Sequence, residues 1–171
     1  MRDLMATAAA AVTLAACTNL ATVEVPAGLR TAPDEKPTYW LAARGVQIYE
    51  CRQQATNGFG WAFVAPEAEL LDASDTVIGR HGAGPYWQSS DGSRVVGAVK
   101  ARADAPVHGA IPWLLLTTKS SGPTGRFSEV TSIQRVNTAG GVAPTAGCSE
   151  GSRGKTIRVP YTADYVLYTA R

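Results

Sequence analysis

The apolar and small-residue run Leu4 to Ala16 is too short to cross a bilayer, which takes roughly 18 residues or more. Basic residues do not cluster either. Arginines are scattered from Arg30 to Arg171 and the formal net charge is only +2, so the electrostatic footprint of a nucleic-acid binder is missing. The charge reads as a solvated surface, and no nucleic-acid partner is expected. No Gly-x-Ser-x-Gly elbow, His-Glu-x-x-His pair or phosphate-cradling glycine loop occurs, which removes three catalytic classes and any nucleotide cofactor. Ser152 and Lys155 have Ser-x-x-Lys spacing, but neither the helix start nor the partner motifs of penicillin-binding enzymes accompany them. Cysteine is scarce, at three residues, and no Cys-x-x-Cys pair is present.

What is present begins with the leader. A short start containing Arg2 precedes the apolar run, and Leu14-Ala15-Ala16-Cys17 resembles the bacterial lipobox. In that motif the cysteine receives a diacylglyceryl group and becomes the first residue after cleavage. Asp3 departs from the usual positive start of such leaders. The resemblance implies residues 1–16 as a cleaved signal peptide and Cys17 as the lipid-bearing residue. The two or three acyl chains of a mature lipoprotein hold it to the membrane at about 0.8 kcal/mol per buried methylene. Thr18 stands where Asp would resemble an inner-membrane retention signal, so the expected place is the outer membrane, facing the periplasm.

With Cys17 assigned to lipid, Cys51 and Cys148 remain as a pair in a compartment where disulfides persist, and a bridge between them is expected. The competing reading, two thiols for metal or redox chemistry, lacks the spacing for it. About 155 residues are left behind the leader, enough for one domain with a sizeable core.

Residues 17–37 are rich in Thr, Ala and Pro and read as a tether that adds an edge segment at most. The domain is expected over 38–171, all-β, as a sandwich or barrel of roughly eight to ten short antiparallel strands. Short β-like runs there alternate with Gly, Pro, Asp and Ser. Asp91-Gly92 between Tyr86 to Ser89 and Arg94 to Ala101 supplies the positive φ of a tight hairpin. Trp113-Leu114-Leu115-Leu116 is continuously apolar and reads as a strand covered on both faces. Phe127, Val130, Ile133 and Val136 fit a helical stripe as well as a strand, and β-branching favours the strand. Gly141 to Gly154 is a long loop that the bridge at Cys148 would hold.

The two histidines occupy similar surroundings, His81-Gly-Ala ahead of Pro85 and Trp87, and His108-Gly-Ala ahead of Pro112 and Trp113. One reading makes His81 and His108 two metal ligands or an acid/base pair, with Asp91 or Asp104 as the carboxylate. The other has each imidazole satisfying a nearby backbone carbonyl. Trp87 and Trp113, with Tyr86, either form a stacking platform for a sugar or other flat ligand, or pack in the core.

Gly45-Val46-Gln47-Ile48-Tyr49-Glu50-Cys51, Ile78-Gly79-Arg80-His81, Val107-His108-Gly109-Ala110-Ile111-Pro112-Trp113-Leu114 and Gln134-Arg135-Val136-Asn137 carry a specific likeness. Through them the chain resembles the family catalogued as domain of unknown function 3455, over Val25 to Tyr168. The resemblance implies a secreted or lipid-anchored protein with no settled activity. Some fungal relatives carry a dehydrogenase label, which this sequence does not support because it lacks the dinucleotide fingerprint. Gly82 departs from the aromatic expected after the histidine. The function expected is a non-catalytic ligand-binding or structural envelope lipoprotein, attached to the membrane through its lipid and taking a small molecule or glycan. The alternatives are a metal-dependent enzyme using His81 and His108, and an assembly module with an exposed apolar patch or open sheet edge.

Overall fold

Period-two alternation sends successive side chains of a strand to opposite faces. In Tyr165-Val166-Leu167-Tyr168 both faces are apolar, so each needs a cover. The computed structural model supplies both. It describes residues 23–55 and 58–171, so the leader, the lipobox and Cys17 lie outside the described residues.

Eight strands follow one another: β1 (Glu35–Gln54), β2 (Gly58–Leu71), β3 (Val77–Gly82), β4 (Tyr86–Ser89), β5 (Arg94–Ala103), β6 (Trp113–Ser120), β7 (Val130–Gly140) and β8 (Thr156–Ala170). Each pairs antiparallel with the next, and β8 returns to pair with β1, so the sheet closes into an up-and-down barrel. Of the two architectures expected, sandwich or barrel, the barrel is the one formed. Closure removes the open sheet edge that an assembly module would have used.

Tyr165 and Leu167 point into the barrel, where they join Leu41, Leu70, Trp87, Leu116 and Ile133. Val166 faces outward, into a second cluster with Leu29, Trp113, Leu115 and Val136. The cover on that outer face is the segment before β1. Val23, Val25 and the fully buried Leu29 pack there, and Gln134 Nε2 donates to Leu29 O at 2.6 Å. The Thr/Ala/Pro-rich stretch is therefore bound to the barrel wall from Val23 onward. The continuous apolar run in β6 is divided the same way, Leu114 and Leu116 inward, Trp113 and Leu115 outward.

The β-like runs Trp61 to Ala65 and Glu69 to Leu71 are parts of one long strand, β2, and Thr156 to Val159 and Ala163 to Thr169 are parts of another, β8. Bulges let the long strands bend around the barrel, among them those at Ile48/Tyr49 in β1 and after Val130 and Val136 in β7. The bulge after Val130 explains why Val130 and Ile133, three residues apart, share the inner face. No bulge separates Ile133 from Val136, so ordinary alternation turns Val136 to the outer cluster.

Because hairpins reverse direction each time, the connections gather at two ends. One end holds the β1–β2, β3–β4, β5–β6 and β7–β8 links, and the other holds the β2–β3, β4–β5 and β6–β7 links. The second end is plugged. Phe127, from the β6–β7 link, is fully buried in the interior cluster and meets Tyr39 edge-on at 5.7 Å. Asp91 organises this plug. Oδ1 accepts from the Ser93 amide at 3.0 Å and hydroxyl at 2.6 Å, Oδ2 accepts from the Arg126 amide at 2.7 Å, and the Phe127 amide donates to Ser93 Oγ at 3.0 Å. Gly92, with φ 89°, makes the expected tight turn beside it.

The Cys51–Cys148 disulfide is formed, with Cα atoms 5.4 Å apart and a sequence separation of 97. It lies at the unplugged end, where it ties the β7–β8 loop to β1. Tyr49 Oη donates to Gly141 O at 2.6 Å and Trp61 Nε1 to Ala146 O at 2.9 Å, fixing the same loop at two further points.

Candidate functional site

The unplugged end opens into a cavity of about 320 Å³ inside the barrel. An adjoining space of about 440 Å³, reaching Ile111 and Pro112, shares Gln47, Phe63, Val99, Leu114 and Arg135 with it. An eight-stranded barrel is just wide enough either to fill with side chains or to hold one small ligand. Both happen in this chain, since Phe127 and its neighbours fill the plugged half and a cavity remains at the mouth. Gly97 contributes directly: a Cβ there would lie 2.8 Å from the Trp87 indole, so its absence lets that ring lie across the barrel.

Three side chains give the mouth its polarity. Gln47 is buried on β1, and its Nε2 has no hydrogen-bond partner. Arg135 comes from β7, on the same face as Ile133, and donates from Nε (3.1 Å) and Nη2 (2.7 Å) to Pro112 O. No ion pair among the described residues involves Arg135, and no Asp or Glu lines either part of the mouth. A second cation, Arg102, stands exposed at the rim.

His81 is the third, almost fully buried on β3, opposite Trp87 of β4. The two rings stack at 4.3 Å and 18°, and Tyr165 meets the imidazole edge-on at 5.1 Å. Nδ1 lies 2.7 Å from Tyr86 O, and a carbonyl can only accept, so Nδ1 carries the hydrogen. Nε2 is then a bare acceptor on a ring that lines the cavity. Burial drives the His81 pKa from 6.5 down to about 3, the Arg135 charge acts in the same direction, and the Tyr86 hydrogen bond only partly opposes them. The ring is neutral at physiological pH. Burial likewise raises the phenols of Tyr161 and Tyr165, whose oxygens lie 3.4 Å apart.

The residues singled out from sequence are dispersed. His81 and Trp87 sit together in the cavity wall, whereas His108 is exposed in the β5–β6 loop. Asp91 lies the length of β4 away, at the plugged end, with both carboxylate oxygens occupied. Asp104 is exposed and lines a shallow outer hollow rather than the mouth. Among the described residues no group of three or more His, Cys, Asp or Glu side chains gathers as a metal would require. Trp87 and Trp113 belong to different clusters, one inside the barrel and one on its outer wall, so they form no common platform. Gly82 pairs with Tyr86, and a Cβ at that position would fall 2.6 Å from the Tyr86 ring. Position 82 alternates with the inward His81, so the missing aromatic leaves the cavity unchanged.

Sequence reasoning did not single out Gln47, Phe63 or Arg135. Arg135 was grouped with the scattered surface arginines, and the available signal was its two-residue offset from Ile133 in an apolar strand.

Fold and site together define an antiparallel up-and-down β-barrel with one plugged end and one mouth that is apolar apart from Gln47, His81 and arginines that form no ion pair among the described residues. The chain belongs to the family described as Protein of unknown function (DUF3455), which matches residues 32–169 and so takes in nearly the whole barrel. No curated protein and no solved structure matches it.

Proposed function

We propose that the protein is an exported, lipid-anchored envelope protein that holds a small, largely apolar molecule in the barrel mouth without transforming it. One observation carries the binding reading: the cavity of about 320 Å³ is bordered by Phe63, Val64 and Val99, which stay 53%, 44% and 56% exposed beside it. Large apolar side chains at the lip of a cavity of ligand-binding size mark a site that gains by being covered. The metal-dependent enzyme has less support, because His81 has one nitrogen committed to Tyr86 and His108 is exposed on a loop. The Cys51–Cys148 bridge is compatible with export, and no helix among the described residues is long and apolar enough to cross a membrane. The lipid anchor rests on Leu14-Ala15-Ala16-Cys17.

Two measurements test the two halves. Titration with the apolar fluorophore N-phenyl-1-naphthylamine should saturate at one molecule per chain. Val99→Trp, which fills the lip from an exposed position, should abolish that signal while leaving the thermal unfolding midpoint in place. Unsaturable binding, or binding unaffected by the substitution, rules out the mouth as the site. Labelled palmitate should enter the wild-type chain and not Cys17→Ser, and equal labelling of the two removes the anchor.

A further inference from the structure

The apolar wall accounts for the body of a ligand and leaves its polar part undetermined. Two side chains at the mouth speak to that part. Arg135 brings a full positive charge into a barrel whose mouth is lined by no carboxylate, and Pro112 O takes up only its Nε and one Nη2 hydrogen. The guanidinium also lies within reach of the Tyr165 hydroxyl, which is uncharged, so the charge has no counter-ion in the mouth. Gln47 Nε2, buried beside it in the same lining, has no hydrogen-bond partner among the described residues. A buried donor without a partner destabilises the empty site. That donor and an arginine charge without a counter-ion together favour an occupant that brings negatively charged oxygen. His81 adds no charge, since burial keeps its ring neutral, and its Nε2 can accept from a ligand but cannot donate to one.

We infer that the occupant is a single-chain amphiphile with an anionic oxygen group, its acid held by Arg135 and Gln47 and its apolar part lying along Phe63, Val99 and Leu114. The inference rests on the binding reading above and names its ligand class. A guanidinium suits a carboxylate because two parallel N–H donors match two oxygens. The cavity and the overlapping space beside it, about 320 and 440 Å³, lie in the lower part of the range for ligand pockets and suit one chain rather than a two-chain lipid. Arg102, exposed at the rim without a carboxylate partner among the described residues, adds attraction of the same sign on the way in.

Calorimetric titration of the full chain carrying Cys17→Ser, free of detergent, tests this with three ten-carbon probes: decanoate, decanol and decyltrimethylammonium. Decanoate should bind at one per chain, tenfold to a hundredfold more tightly than decanol, and the cation least. Arg135→Gln should remove the advantage of decanoate while leaving decanol within about twofold, and Arg135→Lys should restore part of it. Decanol binding as tightly as decanoate, or a preference that survives Arg135→Gln, overturns the acid group and leaves the binding reading standing. Saturable naphthylamine binding with no response to any decyl compound overturns the ligand class. Loss of the naphthylamine signal as well would place the failure in the binding reading itself. Phosphatidylglycerol vesicles that displace decanoate would assign the acid to a membrane headgroup and overturn the free amphiphile.

Discussion

The two ends of the barrel are built from the same eight strands and treat the charged group at their centre in opposite ways. At the plugged end one carboxylate, Asp91, gathers three donors and holds the β6–β7 link so that Phe127 fills the axis. At the mouth, Gln47 keeps a donor without a protein acceptor, Arg135 carries a charge without an ion pair among the described residues, and apolar residues stand exposed at the lip. Satisfied polar groups and a buried aromatic stabilise a fold. Unsatisfied ones subtract from it unless something else completes them. Stability is thus concentrated at one end and capacity for a ligand at the other, and that division is open to experiment.

The largest expected effect is at the plug. Phe127→Ala removes a fully buried ring and should cost about 3–5 kcal/mol in urea-induced unfolding, while naphthylamine binding persists under native conditions. A cost below about 1 kcal/mol would mean that the plug is not where stability resides. The disulfide comes next and acts at the mouth. Its 97-residue separation sets a chain-entropy ceiling near 4.7 kcal/mol, and native bridges commonly contribute about 2–5 kcal/mol. Replacing Cys51 and Cys148 together by Ala should lower the unfolding midpoint and also weaken binding, because the tied loop begins at Gly141, where an added Cβ would lie 3.2 Å from Gln47. Equal loss of binding in Phe127→Ala and in the double-alanine variant would erase the distinction between the ends.

Much of this architecture is legible in the residues. The Asp91-Gly92 hairpin, the doubly covered Trp113 to Leu116 strand and the Cys51–Cys148 bridge each follow from a local physical rule, and each is present. The site was less legible, for a reason seen at Arg135. An isolated arginine in a strand looks like surface charge, and whether it faces solvent or the barrel interior depends on parity, which the bulges after Val130 and Val136 reset. The paired His-Gly-Ala segments misled for the complementary reason. Similar local sequences at the same end of a barrel place one histidine in the wall and the other in solvent, because one lies in a strand and the other in a loop.

His81 provides a test of the mouth by pH. Its folded pKa of about 3 lies below the unfolded value of 6.5, so the unfolded chain takes up the proton first as pH falls. The His81 contribution is fully present above pH 6.5 and is lost between there and pH 3, at up to about 1.4 kcal/mol per pH unit. His81→Gln should flatten the unfolding midpoint across that window while leaving its slope below pH 3 alone. An unchanged slope between pH 6 and 4 would show that another group governs acid sensitivity.

The smallest effect is expected from Asp91→Asn, which touches only the plugged end. Hydrogen bonds from the Ser93 hydroxyl first, then from the Arg126 and Ser93 amides, hold this carboxyl well below the usual carboxylate range. A depressed folded pKa stabilises above the unfolded value, and that stabilisation is lost as pH falls through the folded one. An amide in its place turns an N–H group toward donors that need an acceptor, so the variant should unfold at a lower temperature at pH 7. The gap between variant and wild type should narrow as the pH is lowered from about 4 toward 2, because the unfolded wild-type chain then takes up a proton that the folded carboxylate does not. Decanoate and naphthylamine affinities should not move, since Asp91 lies across the barrel from the mouth. If binding falls with stability in this variant, the ends are coupled through the barrel, and the plug sets the shape of the mouth as well as the strength of the fold.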